Sequence, residues 1–263
     1  MPLLHIMPPR QRIARTFGRK AATYDGHAEV QGELTALLAA KLAVSGLSGG
    51  RWVDLGCGTG MFYDACKKSR FSSRIIGVDI SFEPLVVYNN KCTGFSSTIQ
   101  ADIDHLPFKN ATFDGAVTAS TLQWLDNVPE ALINIAAILK NGGLLAFSVF
   151  IQGSFRELFS IQQRFGIPAP VRCPETAEFV RALEDAGFVD VDYETTEKTV
   201  HAPTAAIVLK SLSAIGGTAT AAVRLLDRKE IAEFCRAYET AFRAGGAVPL
   251  TYHAIVGMCR KRQ

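Results

Sequence analysis

The stretch Val53-Asp54-Leu55-Gly56-Cys57-Gly58-Thr59-Gly60 limits the fold more than any other part of the chain. The apolar run Trp52 to Leu55 leads into three glycines at alternate positions, and a helix is predicted from Met61 to about Lys68. Strand, glycine turn and helix in succession bring bare backbone close to a nucleotide-like ligand. Glycine is needed because such a turn takes φ > 0 and a side chain would fill the ligand's space. The first turn of the helix then offers unpaired N–H groups. The third glycine falls one residue earlier than in the dinucleotide fingerprint G-x-G-x-x-G. That spacing disfavours a nicotinamide-dependent oxidoreductase, although the octapeptide alone also fits a structural turn or a dinucleotide site.

The octapeptide resembles motif I of the class I S-adenosylmethionine-dependent methyltransferases. The resemblance implies that Gly56, Gly58 and Gly60 shape the turn, that Gly58 and Gly60 pass under the methionine part of the cofactor, and that Asp54 faces its ammonium group.

The 263 residues suit a single domain, 1–263, with an insertion. No apolar run approaches the roughly 20 residues of a membrane helix, and residues 1–12 hold three prolines and no long apolar core, so no membrane contact or secretory leader is expected. The formal net charge of +3 is too small to argue for a nucleic-acid partner. The six cysteines form no C-x-x-C pair, and no zinc-like histidine spacing occurs, so no metal is expected. They read as small or incidental thiols of a reducing cytoplasm. Cys57 reads as a small side chain in a tight turn and not as a nucleophile.

Strands alternate with helices from 52 to 150, the pattern of a doubly wound α/β sheet. The strand at 74–80 ends at Asp79 and Ile80, where an acid accepts from ribose hydroxyls; it would serve NAD as well as S-adenosylmethionine. A third strand, 97–103, ends at Asp102 and Ile103. The segment Leu106-Pro107-Phe108 and then Thr112 to Val117 leads into the fourth strand, followed by Ser120, Gln123 and Trp124. The Asn/Asp-Pro-Pro-aromatic motif that holds a flipped base is absent there, which argues against base chemistry. An amphipathic helix is expected from Pro129 to Leu139, stopped by Lys140-Asn141-Gly142-Gly143, and a continuous apolar strand from Leu144 to Phe150. A further helix is expected over Glu175 to Ala186, strands over 189–193 and 250–259, and a helical insertion over 200–249.

Ahead of the first strand, residues 10–45 carry apolar side chains at helical spacing. Within them, Phe17 to Ala28 resembles the F-x-x-x-A-x-x-Y-D-x-x-A start of many small-molecule methyltransferases, where a helical cover lies over the cofactor. Tyr24 would then touch cofactor or substrate, or serve only as a packing aromatic; His27 reads as structural.

Gln152-Gly153-Ser154-Phe155-Arg156-Glu157-Leu158, Leu209 to Thr218, and Pro249-Leu250-Thr251-Tyr252 extend the likeness over nearly the whole chain, from about Ile13 to Arg260. Together with Phe17 to Ala28 they are similar to the malonyl-acyl-carrier-protein O-methyltransferases of biotin synthesis, with departures at Ser213 and Gly217. The resemblance implies a mostly parallel seven-stranded sheet of the class I, Rossmann-like kind, an N-terminal helical segment and a helical lid before the last strand. It implies S-adenosyl-L-methionine as cofactor and S-adenosyl-L-homocysteine as product. The acceptor would be the free carboxylate of malonyl-acyl-carrier protein or malonyl-CoA. In this family Asp102 accepts from the adenine amino group and Ile103 packs beside it; Ser120 is taken as a further cofactor contact. A carboxylate is already ionised at neutral pH, so no general base is expected. Tyr24 and Arg172 are the candidates for holding it, Arg172 by a bidentate grip. A basic lip for the carrier is expected among Lys198, Lys210, Arg224, Arg228 and Lys229. The protein is expected to be a cytoplasmic monomer. The open alternatives are a methyltransferase for another small molecule, such as a quinone precursor, and a non-catalytic regulatory partner that keeps the cofactor fold.

Overall fold

The computed structural model describes residues 10–45, 49–92, 97–167, 169, 171–216 and 227–263. Helices α1 (Arg10–Lys20) and α2 (Glu29–Val44) precede β1 (Arg51–Leu55), α3 (Met61–Ser69), β2 (Arg74–Asp79), α4 (Phe82–Lys91) and β3 (Ser97–Gln100). Next come β4 (Phe113–Ala119), α5 (Val128–Ile138), β5 (Leu139–Phe150), α6 (Arg156–Arg164) and α7 (Thr176–Asp185). The chain ends with β6 (Phe188–Ala202), α8 (Ala205–Ala214), α9 (Arg228–Phe242) and β7 (Val248–Lys261).

The strands form one sheet in the order β3-β2-β1-β4-β5-β7-β6. Neighbours from β3 to β5 are parallel, and β7 runs antiparallel to both β5 and β6. The chain steps outward from β1 to β3 and then returns past β1 to β4. That reversal opens a crevice beyond the carboxyl ends of β1 and β4, the place where such sheets bind ligands.

Side-chain alternation builds a layer on each face. On β5, Leu144 and Ala146 join Leu38 of α2, Phe62 of α3, Leu158 of α6 and Leu212 of α8. Leu145 and Phe147 join Leu132 of α5 and Phe179 of α7 on the other face. The insertion helices belong to the first layer, with Val208, Phe234 and Tyr238 buried in it.

Four expectations change. Helix α5 ends at Ile138, and Leu139 enters the sheet at once, fully buried and paired with Phe113. Lys140 to Gly143 therefore form an irregularity at the start of β5 and not a separate turn. Strand β6 runs on to Ala202, along the whole of β7, although most of its residues are exposed or half-buried. The helical insertion is accordingly shorter than 200–249, since 200–202 lie in β6 and 248–249 in β7; its stretch 217–226, with Gly217, Thr218 and Arg224, lies outside the described residues. Helix α6 was not expected. It starts after Phe155, whose φ of +57° gives no polar capping signal, and its Glu157 accepts from the backbone N–H and the hydroxyl of Thr251, locking α6 to β7.

Candidate active site

The carboxyl ends of β1, β2, β3 and β4 border an open cleft with about 1090 Å³ of empty space. Asp54 of β1 lies at its floor, 2% exposed, and its Oδ2 has no hydrogen-bond partner. Burial, reinforced by the nearby Asp79, pushes the Asp54 carboxyl up to about 8. A buried carboxylate without a partner is costly, so this atom calls for a cation.

The three glycines serve different ends. A β-carbon on Gly58 would meet nothing within 4 Å and would project into open space beside the cleft. One on Gly56 would strike the Thr121 side chain at 2.2 Å, and one on Gly60 the Tyr88 ring at 2.8 Å. All three have positive φ. Gly56 and Gly58 line the cleft; Gly60 is placed beneath it, as the residue that opens α3 against Tyr88.

Asp79 fixes the turn. Its Oδ2 accepts from the Gly58 N–H (2.9 Å) and its Oδ1 from the Ser81 N–H (2.8 Å). Burial raises its pKa, and these N–H donors oppose the rise. The Ile80 N–H and the Ser81 side chain also act on this carboxylate, which borders the cleft where a ligand's hydroxyls would reach it. Ile80, Asp102 and Ile103 border the same end of the cleft. Desolvation holds the Cys57 thiol well above its usual range, so Cys57 is an inert small side chain at the turn.

The N-terminal segment covers the cleft. Ile13 and Phe17 of α1, Ala21 just past its end, Tyr24, and Gln31 and Thr35 of α2 line it. Two links tie the cover down: the Ser81 hydroxyl donates to the Ala14 carbonyl (3.0 Å), and the Thr59 hydroxyl donates to Asp25.

A second chamber, about 470 Å³, adjoins the cleft and shares Phe17, Tyr24, Gln31, Ser120 and Trp124 with it. Phe150, Phe155, Leu158, Val171, Leu212 and Ile215 form its apolar wall. At the seam, Ser120 holds a strained φ of +52°, its Oγ is buried without a partner, and its carbonyl accepts from Gln123 Nε2 (2.8 Å). Gln123 is 3% exposed, and its Oε1 also lacks a partner. Desolvation, reinforced by the Asp25 and Asp79 charges, keeps the Tyr24 hydroxyl far above its usual pKa, so it is a neutral donor.

The expected residues thus gather at the cleft, with one displacement beyond Gly60. Arg172 lines neither space. Its side chain is 66% exposed and ion-paired to Glu178 on the first turn of α7, while its neighbour Val171 faces the chamber. The carboxylate grip assigned to Arg172 is therefore corrected: a surface carboxylate already occupies the guanidinium. Phe17, Gln31 and Thr121 carry no site role in the sequence reading, where Phe17 stands only among apolar side chains at helical spacing. The signal available was that Phe17 opens the F-x-x-x-A-x-x-Y-D pattern.

Residues 53–147 match the family model described as a methyltransferase domain. The malonyl-acyl-carrier-protein O-methyltransferase of Geobacter sulfurreducens is 27% identical over 97% of this chain and 100% of the relative. That of Pectobacterium atrosepticum is 30% identical over 95% of this chain and 96% of the relative. Among solved structures, the YcgJ protein of Bacillus subtilis superposes with a TM-score of 0.61 at 17% identity, covering 86% of this chain and 98% of that one, and shares the fold. With the cofactor-type cleft in place and the likeness running from end to end, this chain belongs to the malonyl-acyl-carrier-protein O-methyltransferase family.

Proposed function

We propose that this protein transfers the methyl group of S-adenosyl-L-methionine to the free carboxylate of a malonyl thioester, giving the methyl ester that primes biotin synthesis. The acceptor is carried on acyl-carrier protein, with malonyl-CoA as the smaller alternative acceptor.

S-adenosylmethionine supplies an electrophilic methyl on a sulfonium, and the residues of the cleft fit it. The unpartnered Asp54 oxygen suits the ammonium group, the Asp79 carboxylate at the end of β2 suits ribose hydroxyls, and Asp102 with Ile103 suit the adenine end. Bare backbone at Gly58 leaves room for the methionine part. Tyr24 and Ser120, at the seam, have hydroxyls that can donate to the acceptor carboxylate and aim one of its oxygens toward the cleft. The aromatic wall excludes water, and alignment supplies much of the rate.

One observation carries this reading: the described lining of the chamber is apolar, aromatic, hydroxyl or amide throughout. Such a lining suits an acceptor that is already a nucleophile at neutral pH, as a carboxylate is. A phenolic quinone precursor would need its proton taken by a positioned base. The intact Asp54, Asp79 and Asp102 speak for a working cofactor site and against a regulatory partner.

The protein is further proposed to act as a cytoplasmic monomer on one domain, with 10–45 as cover and the α8–α9 region as lid. No helix among the described residues is long and apolar enough to cross a membrane.

The test offers labelled S-adenosylmethionine with malonyl-carrier protein, malonyl-CoA and succinyl-CoA. Label appearing as a base-labile methyl ester on a malonyl thioester is the expected result. Cofactor binding without transfer to any thioester would remove the acceptor assignment and leave the cofactor site standing.

A further inference from the structure

The expected basic lip does not survive at Lys198, whose ammonium is held by Glu29 and Glu33 of α2. The strongest run of unbalanced charge lies elsewhere. The sequence of α1, RQRIARTFGRK, carries Arg10, Arg12, Arg15, Arg19 and Lys20 and no acid. The chain as a whole is nearly balanced, with 28 cations and 25 acids.

This arrangement opposes the helix's own stability. Arg15 and Arg19 stand at i,i+4, where like charges repel. The first turn holds no acid to meet the positive end of the helix dipole. Arg15 and Arg19 are exposed and Lys20 half-buried, and among the described residues none of the three forms an ion pair. Glu83 of α4 packs its carboxylate against Gly18 without pairing to either arginine. Arg19 and Lys20, in the last turn, meet the favourable end of the dipole, but no acid of α1 answers any of these cations, and such a helix fits one that meets a charge from outside.

Its position makes the partner specific. The inner face of the same helix, through Ile13 and Phe17, roofs the cofactor cleft, and Phe17 also borders the chamber. A group delivered on a long arm to a chamber that Phe17 borders brings its carrier close to this helix. A single phosphodiester needs one or two cations. Arg15, Arg19 and Lys20, along the C-terminal part of the helix, exceed that and suit an acidic protein face with the anionic root of its phosphopantetheine arm.

We propose that the outer face of α1, through Arg15, Arg19 and Lys20, docks the acyl-carrier protein by an acidic surface of that partner. The inference rests on the malonyl-thioester reading above. Docking of this kind acts on encounter and affinity more than on chemistry, so it should appear in KM and in salt dependence while kcat holds.

The experiment compares two acceptors, malonyl-carrier protein and the malonyl thioester of N-acetylcysteamine, which has the reacting group and neither protein nor phosphate. The full chain is compared with an R15E/R19E/K20E variant, a milder R15Q/R19Q variant and an R228E/K229E variant. Melting temperature and S-adenosylmethionine binding are measured for each. The expected result is a fall of at least tenfold in kcat/KM on carrier protein for R15E/R19E/K20E, a smaller fall for R15Q/R19Q, and turnover of the small thioester within twofold of wild type. Added salt should weaken wild-type turnover on the carrier substrate alone. Wild-type efficiency of R15E/R19E/K20E on carrier protein would overturn the inference. So would a loss confined to R228E/K229E, or an equal loss on both acceptors. Failure of wild type on both acceptors would instead overturn the malonyl reading, and docking with it.

Discussion

Gly216, just past the end of α8, lies against the ring of Phe17: a β-carbon at 216 would come within 2.9 Å of Phe17 Cε1. The same ring meets Trp124 edge-on, with centroids 5.1 Å apart. One aromatic from the N-terminal cover therefore joins the insertion to the loop after β4, above the seam between cleft and chamber. Phe17→Ala should open that seam. Part of the roughly 3–5 kcal/mol cost of a buried Phe→Ala change applies, since Phe17 is only half-buried. The expected outcome is a tenfold or larger fall in kcat/KM with the protein still folded, checked by steady-state kinetics beside a thermal melt.

Asp54 predicts a pH dependence with a definite sign. Its folded pKa of about 8 stands above the ordinary 3.8. Between those values the folded, cofactor-free protein keeps a proton that the unfolded chain has lost. Stability from this group is therefore full at low pH and lost as pH rises toward about 8, on the order of a few kcal/mol across the range. Asp54→Asn should flatten that slope in denaturant titrations at pH 5 and pH 8.

Cofactor binding should run the other way. A cationic ammonium needs the ionised Asp54, so binding at pH 7 should release close to one proton, and affinity should rise with pH until about 8. Calorimetry in buffers of different ionisation enthalpy reads the proton directly. Asp54→Asn should abolish the release and weaken binding by roughly 2 kcal/mol, a typical loss for a charge-assisted hydrogen bond.

Asp79 has two duties, and its removal should show both. Asp79→Ala strips the acceptors of the Gly58 and Ser81 N–H groups, leaving donors unpaired at about 1–3 kcal/mol each where water cannot reach. The expected result is a lower melting temperature without ligand and a cofactor Kd raised at least tenfold.

Arg172 supplies the contrasting case. An exposed pair such as Arg172–Glu178 contributes ~0–1 kcal/mol. Arg172→Ala should keep turnover within about twofold of wild type; a hundredfold loss would return the arginine to the substrate site.

Legibility in the sequence followed physical cause. The strand, glycine turn and helix around Gly56 to Gly60 were readable because backbone sterics dictate them, and the acids at 54, 79 and 102 because strand ends fix their place. Residues 144–150 were readable because both faces are covered. Strand β6 was longer than its alternation suggested because its far half is held by pairing with β7 and has little burial to pattern it. Leu139 joined the sheet because Phe113 buries it, a long-range contact that no local stop signal records. The chamber was the least legible part: it is assembled from α1, α2, α6, α8 and the loop after β4, and no short motif spans them.

The order of the strands separates two tasks along the chain. The sheet ends that border the cofactor cleft come from residues before 126, while the apolar wall of the chamber comes from residues after 149. Among the described residues, the two spaces share only Phe17, Tyr24, Gln31, Ser120 and Trp124. A lineage could redraw the second half for another acceptor and inherit the first unchanged, so that new substrates would cost changes in helices while the methyl donor's berth stayed fixed.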